Sequence, residues 1–249
     1  MDTSRIMVMC AAGFGGAALN ALAGGGSFLT LPALLWAGVP AVAANATGTA
    51  ALLPGYVASA WGQRRDLGAP RALGMRTLLI VCLIGGMAGA ALLLRTGNTA
   101  FRAIVPWLLL FATALFAFGP ALLRALGRHP HQTAGHAQAV AAMLLVSAYG
   151  GYFNGGLGVL LLALLGLLGE VDLNRMNALK NLISAVLTVF AVGLYAAGGT
   201  VRWGLAAVML PAVLLGGWTG AHLGRRLPRG VLRWGIVCIG LVMSALFMR

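Results

Sequence analysis

Gly85-Gly86-Met87-Ala88-Gly89-Ala90-Ala91-Leu92 returns 131 residues later as Gly216-Gly217-Trp218-Thr219-Gly220-Ala221-His222-Leu223. Ala114-Leu115-Phe116 returns at the same offset as Ala245-Leu246-Phe247, and Pro70-Arg71 and Phe101-Arg102 face Val201-Arg202 and Leu232-Arg233. Nearer the start of each half the offset becomes 132, with Ala44-Asn45-Ala46 facing Met176-Asn177-Ala178. One inserted residue accounts for the slip. An apolar unit written twice is a common plan of membrane transporters, whose substrate site lies where the copies meet.

Composition agrees with lipid as the solvent. Apolar residues are 60% of the 249 and charged residues only 8%, against about a quarter charged in a soluble domain. Candidate spans are 6–23, 42–61, 73–94, 104–123, 139–152, 177–197, 205–223 and 232–248. Most of them approach the roughly 20 apolar residues needed to cross a bilayer. Two shorter runs, 28–36 and 159–168, follow glycine breaks in matching places and are too short to cross alone.

The formal charge is +13, from 17 cations and four carboxylates. The cations sit in short loops between apolar segments and form no continuous patch, which argues against nucleic acid as a partner. Cys10, Cys82 and Cys238 are unclustered and inside apolar runs, so neither a disulfide framework nor a metal site is expected. Met1–Arg5 and the apolar run after it have the look of a signal peptide, with Ala21-Leu22-Ala23 resembling a cleavage site. Because Asn20–Gly26 has a partner in Asn154–Gly158, this segment is expected to belong to the repeat.

Each half reads as a broken hairpin followed by three long helices. Arg124–Gln138, rich in Arg and His and interrupted by Gly127, Pro130 and Gly135, is the expected linker. Its histidines read as solvated loop residues rather than metal ligands. Loop charge indicates sidedness. Arg64, Arg65, Arg71 and Arg76 cluster in one loop of the first half, where the second half has Arg202. At the next loop the order reverses, with Arg95 and Arg102 against Arg225, Arg226, Arg229 and Arg233. Cytoplasmic loops collect Lys and Arg, so equivalent loops face opposite sides and the repeats are inverted, with both termini outside. That requires each hairpin to enter and leave on one side. A glycine kink within a single crossing would give parallel repeats instead.

Gly85-x-x-x-Gly89 and Gly216-x-x-x-Gly220 place small residues on one helix face, the pattern of close helix approach in lipid. Gly24-Gly25-Gly26 and Gly155-Gly156-Leu157-Gly158 are breaks. An opened backbone at membrane depth is tolerated only inside protein or along a wet cavity. Each break reads either as an anion cradle at a helix N-terminus or as a tight re-entrant turn. Beside them lie the pairs Asn45/Thr49 and Asn177/Asn181, each four residues apart on one helix face and equivalent between the halves. Two polar stripes facing across the repeat axis are expected, serving either a solute or interhelical hydrogen bonding. Lys180 is the only lysine. A buried ammonium costs roughly 3 kcal/mol or more without a partner, so it meets an anionic ligand or snorkels toward Glu170 and Asp172.

All four carboxylates, Asp2, Asp66, Glu170 and Asp172, fall in termini or loops. Sodium sites and many proton relays need acidic groups inside the membrane, so a small anion suits this chain better than a cation. No acid–base pair, HExxH, GxSxG or phosphate-binding loop is present, and no enzyme activity or cofactor is expected.

The runs Gly24-Gly25-Gly26-Ser27-Phe28-Leu29-Thr30-Leu31-Pro32, Ala44-Asn45-Ala46-Thr47-Gly48-Thr49, Tyr149–Gly158 and Asn177-Ala178-Leu179-Lys180-Asn181 resemble, in order and in duplication, the TauE/SafE sulfite-exporter family of membrane permeases. The resemblance covers nearly the whole chain. It implies a bacterial inner-membrane protein that moves small anions, typically sulfite or organosulfonates, using an ion gradient. Where many members carry a Thr-Ser pair, this chain has Lys180-Asn181. The expected fold is an all-α integral membrane protein of two pseudo-symmetric inverted repeats, 1–123 and 139–249, joined by the linker 124–138. Each repeat is a glycine-broken hairpin plus three transmembrane helices, with about eight full spans and two short half-helices in all. The expected substrate site holds Gly24, Gly25, Gly26, Asn45, Thr49, Asn154, Gly158, Asn177, Lys180 and Asn181, with no metal. The alternatives are a carrier of a neutral or cationic solute and a non-transporting membrane scaffold.

Overall fold

Glycine and proline punctuation divides the apolar chain into ten α-helices in a computed structural model that describes residues 2–70, 73–126, 135–223 and 229–247. They are α1 (Thr3–Ala23), α2 (Ser27–Trp36), α3 (Ala41–Gly62), α4 (Met75–Arg95), α5 (Asn98–Leu126), α6 (His136–Tyr152), α7 (Leu157–Leu167), α8 (Leu173–Ala197), α9 (Trp203–Leu223) and α10 (Arg229–Phe247). A single 3₁₀ turn, Arg64–Asp66, follows α3. No strand occurs among the described residues.

The breaks fall where the glycines are. α1 ends at Gly24, whose φ of 79° is left-handed backbone that glycine adopts without steric cost. Between α6 and α7, Asn154 (φ 63°) and Gly156 (φ 73°) turn the chain in the same sense. The short helices α2 and α7 also end alike. The Val39 N–H returns to Leu34 O and the Glu170 N–H to Leu165 O, both at 3.0 Å, across left-handed Gly38 and Gly169. These are paired Schellman caps.

Four helices contain windows long and apolar enough to cross a membrane: Met75–Arg95, Asn98–Leu115, Asn174–Ala197 and Trp203–Gly220. Large apolar side chains face outward over the described surface, among them Trp61 (69% exposed), Trp107 and Leu145. Such a surface is a lipid-facing one. The chain is a multi-pass helical membrane protein.

Close packing follows the small residues. A methyl group on Gly89 of α4 would stand 1.9 Å from Ala148 O of α6, and one on Gly216 of α9 would stand 2.1 Å from Phe14 O of α1. Gly85 lies beside Leu144 and Ser147 and Gly89 beside Ala148, so α4 and α6 run parallel. Gly216 lies beside Phe14 and Gly220 beside Ala18, so α1 and α9 also run parallel. α3 packs on α8 in the opposite sense. The Arg202 N–H, just beyond α8, donates to Thr47 near the start of α3 (3.0 Å), and Asn181 near the start of α8 donates to Gln63 at the end of α3 (3.0 Å). α5 packs on α10.

Helix reaches into both ends of the stretch read as the linker, 124–138. α5 continues through Arg124 to Leu126 and α6 begins at His136. The stretch 127–134, with Arg128, His129 and His131, lies outside the described residues, as do Arg71, Arg225 and Arg226.

Candidate polar site at the helix breaks

The two glycine breaks touch. A methyl group on Gly24 would lie 2.5 Å from the Gly158 Cα, so only bare backbone fits between them. Asn154 is buried at the second break, and the Tyr56 hydroxyl of α3 donates to its Oδ1 at 3.4 Å. Asn20, buried in the last turn of α1, is within reach of the same hydroxyl. Polar groups from α1, from α3 and from the second break thus gather around the junction. Asn20 Oδ1 and Asn154 Nδ2 are buried there without a hydrogen-bond partner. Buried polar atoms are ordinarily satisfied, and an orphaned acceptor and an orphaned donor on the two side chains that meet the Tyr56 hydroxyl suit a polar ligand.

Tyrosines also satisfy backbone that the second break frees. The Tyr149 hydroxyl donates to Gly155 O and the Tyr195 hydroxyl to Gly151 O. In the first break Thr30 donates to Gly26 O at 3.4 Å. Packing around Gly48 is tight, since a methyl group there would approach Thr30 Oγ1 to 3.0 Å.

Along α3, Asn45, Thr49 and Tyr56 share one face at spacings of four and seven residues. Asn45 Nδ2 donates to Tyr152 O at 3.0 Å, while Asn45 Oδ1 and Thr49 Oγ1 are buried and unpartnered. α8 repeats the pattern with Asn177, Asn181 and Thr188, and Thr188 Oγ1 is likewise unpartnered. Lys180 is only 3% exposed, and its ammonium donates to Asn177 Oδ1 at 3.3 Å.

The two predicted stripes do not converge on one point. Asn181 sits against Gln63, and Asn45 lies 18 residues earlier on α3, about 27 Å along the helix at 1.5 Å per residue. Because α3 and α8 run in opposite directions, Asn45/Thr49 and Asn177/Asn181 occupy opposite ends of their contact. The structure brings Gly24 to Gly158, Asn45 to the end of α6, and Asn177 to Lys180.

Lys180 does not snorkel to the acidic loop. Glu170 instead pairs with Arg175 at 3.7 Å, the one ion pair among the described residues. Glu170 is a loop residue by position but only 6% exposed, and its Oε2 has no partner. Lys180 is therefore a buried cation with a neutral amide as its hydrogen-bond acceptor.

Sequence reasoning passed over Tyr56, Tyr149, Tyr195 and Gln63. Tyr56 had a signal: it stands eleven residues after Asn45, as Thr188 does after Asn177. Aromatic residues in apolar runs read as packing, which hid it.

The chain matches the family described as Sulfite exporter TauE/SafE over residues 9–247, and it belongs to that family. A probable membrane transporter protein of Haemophilus influenzae is 26% identical over 248 residues, covering 96% of this chain and 93% of that protein. The probable membrane transporter protein YfcA of Escherichia coli K12 is 29% identical over 230 residues, covering 91% and 83%. These names indicate a membrane transporter of the TauE/SafE type. No solved structure gives a significant match.

Proposed function

We propose that this TauE/SafE member is a secondary transporter of the bacterial inner membrane that carries a small oxyanion, sulfite or an organosulfonate. The observation that carries the reading is Lys180, an ammonium buried at 3% exposure whose hydrogen-bond acceptor is the neutral Asn177 side chain. A buried cation is stable only with compensating negative charge. A bound anion supplies that charge. Beside Lys180 the Asn177 and Asn181 amides would replace water around its oxygens, and the unpartnered Thr188, Asn154 Nδ2 and Thr49 would do so further along the path.

Two inverted repeats frame the path in this reading, with α1–α5 repeated as α6–α10. The packing pattern supports it, because α1 on α9 and α4 on α6 exchange under the repeat, while α3 on α8 and α5 on α10 map onto themselves. Arg5 at the start of α1 donates to Ala37 O just past α2, at 3.4 Å, which supports a hairpin that enters and leaves on one side. Opposed α3 and α8 support inversion rather than parallel repeats. The α3–α4 loop, with Arg64 and Arg65, then faces the cytoplasm and the Arg5 end faces outward. Six helices would cross the membrane fully in this reading, two fewer than the expected eight, because α1–α2 and α6–α7 become hairpins whose glycine breaks meet inside it. Because Asn45/Thr49 and Asn177/Asn181 lie at opposite ends of the α3–α8 contact, one anion does not touch all of these residues at once; the path in this reading runs from Asn177, Lys180 and Asn181, past the junction of Gly24, Gly25, Gly26, Asn154 and Gly158 with Tyr56 and Asn20, to Asn45 and Thr49.

The test is flux of labelled sulfite into proteoliposomes holding the purified chain. Saturable uptake, competed by organosulfonates and not by neutral solutes of similar size, is expected. Uptake no greater than in empty liposomes, or competition by cations alone, overturns the reading.

A further inference from the structure

Near the Arg5 end of the bundle, α1, α2, α5 and α10 enclose a groove of about 1330 Å³ that shares no residue with the helix-break site. Its walls are apolar, formed by Val8 and Ala11 of α1, Leu29 and Pro32 of α2 and Met243 of α10. Its polar groups gather at the first turns of α5, as Asn98, Thr99 and Arg102. The Asn98 side-chain oxygen is occupied by the Val42 N–H at 3.0 Å. The Arg102 guanidinium is exposed and belongs to no described ion pair.

The surroundings set the depth and the charge of this groove. Trp36 (59% exposed) lines it and Trp203 (57%) lies in the adjoining hollow, and exposed tryptophans mark the headgroup level of a membrane. Arg5 is held at the same rim by Ala37 O, and Arg202 lines the adjoining hollow. Asp2, the described carboxylate at this end, already accepts from the Ser4 hydroxyl at 2.9 Å. The rim is therefore a cationic one above an apolar trough. A water-soluble anion would leave the trough empty, and a neutral chain would leave Arg102 without a counter-charge. A lipid with a net negative headgroup meets both requirements.

We propose that this groove is a binding site for an anionic phospholipid, with acyl chain along Leu29, Pro32 and Val8 and headgroup phosphate on Arg102. The proposal stands apart from the transport reading, because neither the groove nor its test involves the helix breaks.

Native mass spectrometry of the detergent-purified full chain, titrated with phosphatidylglycerol or with phosphatidylethanolamine of the same acyl length, provides the test. Retained phosphatidylglycerol adducts are expected at several-fold lower lipid concentration. Arg102→Gln should reduce that preference roughly fivefold, the scale of one cation at a membrane surface, and Arg102→Lys should keep most of it. Ala103→Trp, filling the groove from an exposed position, should abolish tight retention of both lipids. Equal retention of the two lipids overturns the proposal, as does a preference that survives Arg102→Gln. A dimer mass lost in Ala103→Trp would assign the groove to a second copy and overturn it as well.

Discussion

The Tyr56 hydroxyl donates to Asn154 Oδ1 across 3.4 Å, tying the middle of α3 to the break between α6 and α7. The bond joins residues 98 apart in sequence, one from each half. Removing the hydroxyl leaves the buried Asn154 oxygen unpaired beside an amide nitrogen that is already so. Tyr56→Phe is expected to cost about 1 kcal/mol, seen as a lower thermal midpoint of the purified chain in detergent. An unchanged midpoint would mean that the contact contributes nothing to stability.

The glycine faces predict a contrast between a contact glycine of α4 and an open glycine of α9. Gly89→Ala drives a methyl group into the Ala148 carbonyl, whereas Gly217→Ala in α9 meets nothing within 4 Å. Gly89→Ala should destabilise by about 1–3 kcal/mol. Gly217→Ala should be neutral or slightly stabilising, since alanine favours helix by up to about 1 kcal/mol. Gel-filtration recovery after graded heating separates the two.

Those glycines were legible beforehand because a short repeat of small residues has one main use in lipid. The breaks at Gly24 and Gly156 were legible for a similar reason, since three or more closely spaced glycines do not hold a helix. The contact between the breaks was not legible. Which residue meets Gly24 depends on how the halves dock, and no local pattern records that. The same limit applied to Asn45 and Asn181. Equivalent positions on α3 and α8 looked as if they faced each other, but opposed helix directions carry them to opposite ends of the contact. Burial of Glu170 escaped notice because its neighbours Val171 and Asp172 are exposed and read as an ordinary loop.

Glu170 supplies a further expectation. Its carboxylate is buried, with Arg175 as its ion-pair partner, while the Arg175 side chain is 42% exposed. Arg175→Ala strands the carboxylate, and breaking a buried pair from one side costs more than removing both charges. The double variant Arg175→Ala/Glu170→Gln should therefore melt above Arg175→Ala. A double variant that melts at the lower temperature would contradict a buried, dependent carboxylate.

The proposed sidedness is open to chemical labelling. In a chain with Cys10, Cys82 and Cys238 replaced, Ser4→Cys and Gly97→Cys, both exposed, should react with an impermeant maleimide on intact cells. Arg65→Cys, exposed beyond α3, should react only after the membrane is opened. Labelling of Ser4→Cys and Arg65→Cys from the same side would mean that α1 and α2 form a single crossing and that the repeats are parallel.

A carried anion should match the buried Lys180 charge. The most direct measurement is the sulfite concentration dependence of uptake by proteoliposomes containing the native chain, Lys180→Arg or Lys180→Met, each checked for folding by its thermal midpoint. Lys180→Met is expected to fold but to lose sulfite affinity by tenfold or more, about 1.4 kcal/mol, with partial retention in Lys180→Arg. Uptake by Lys180→Met with unaltered affinity and rate would contradict it.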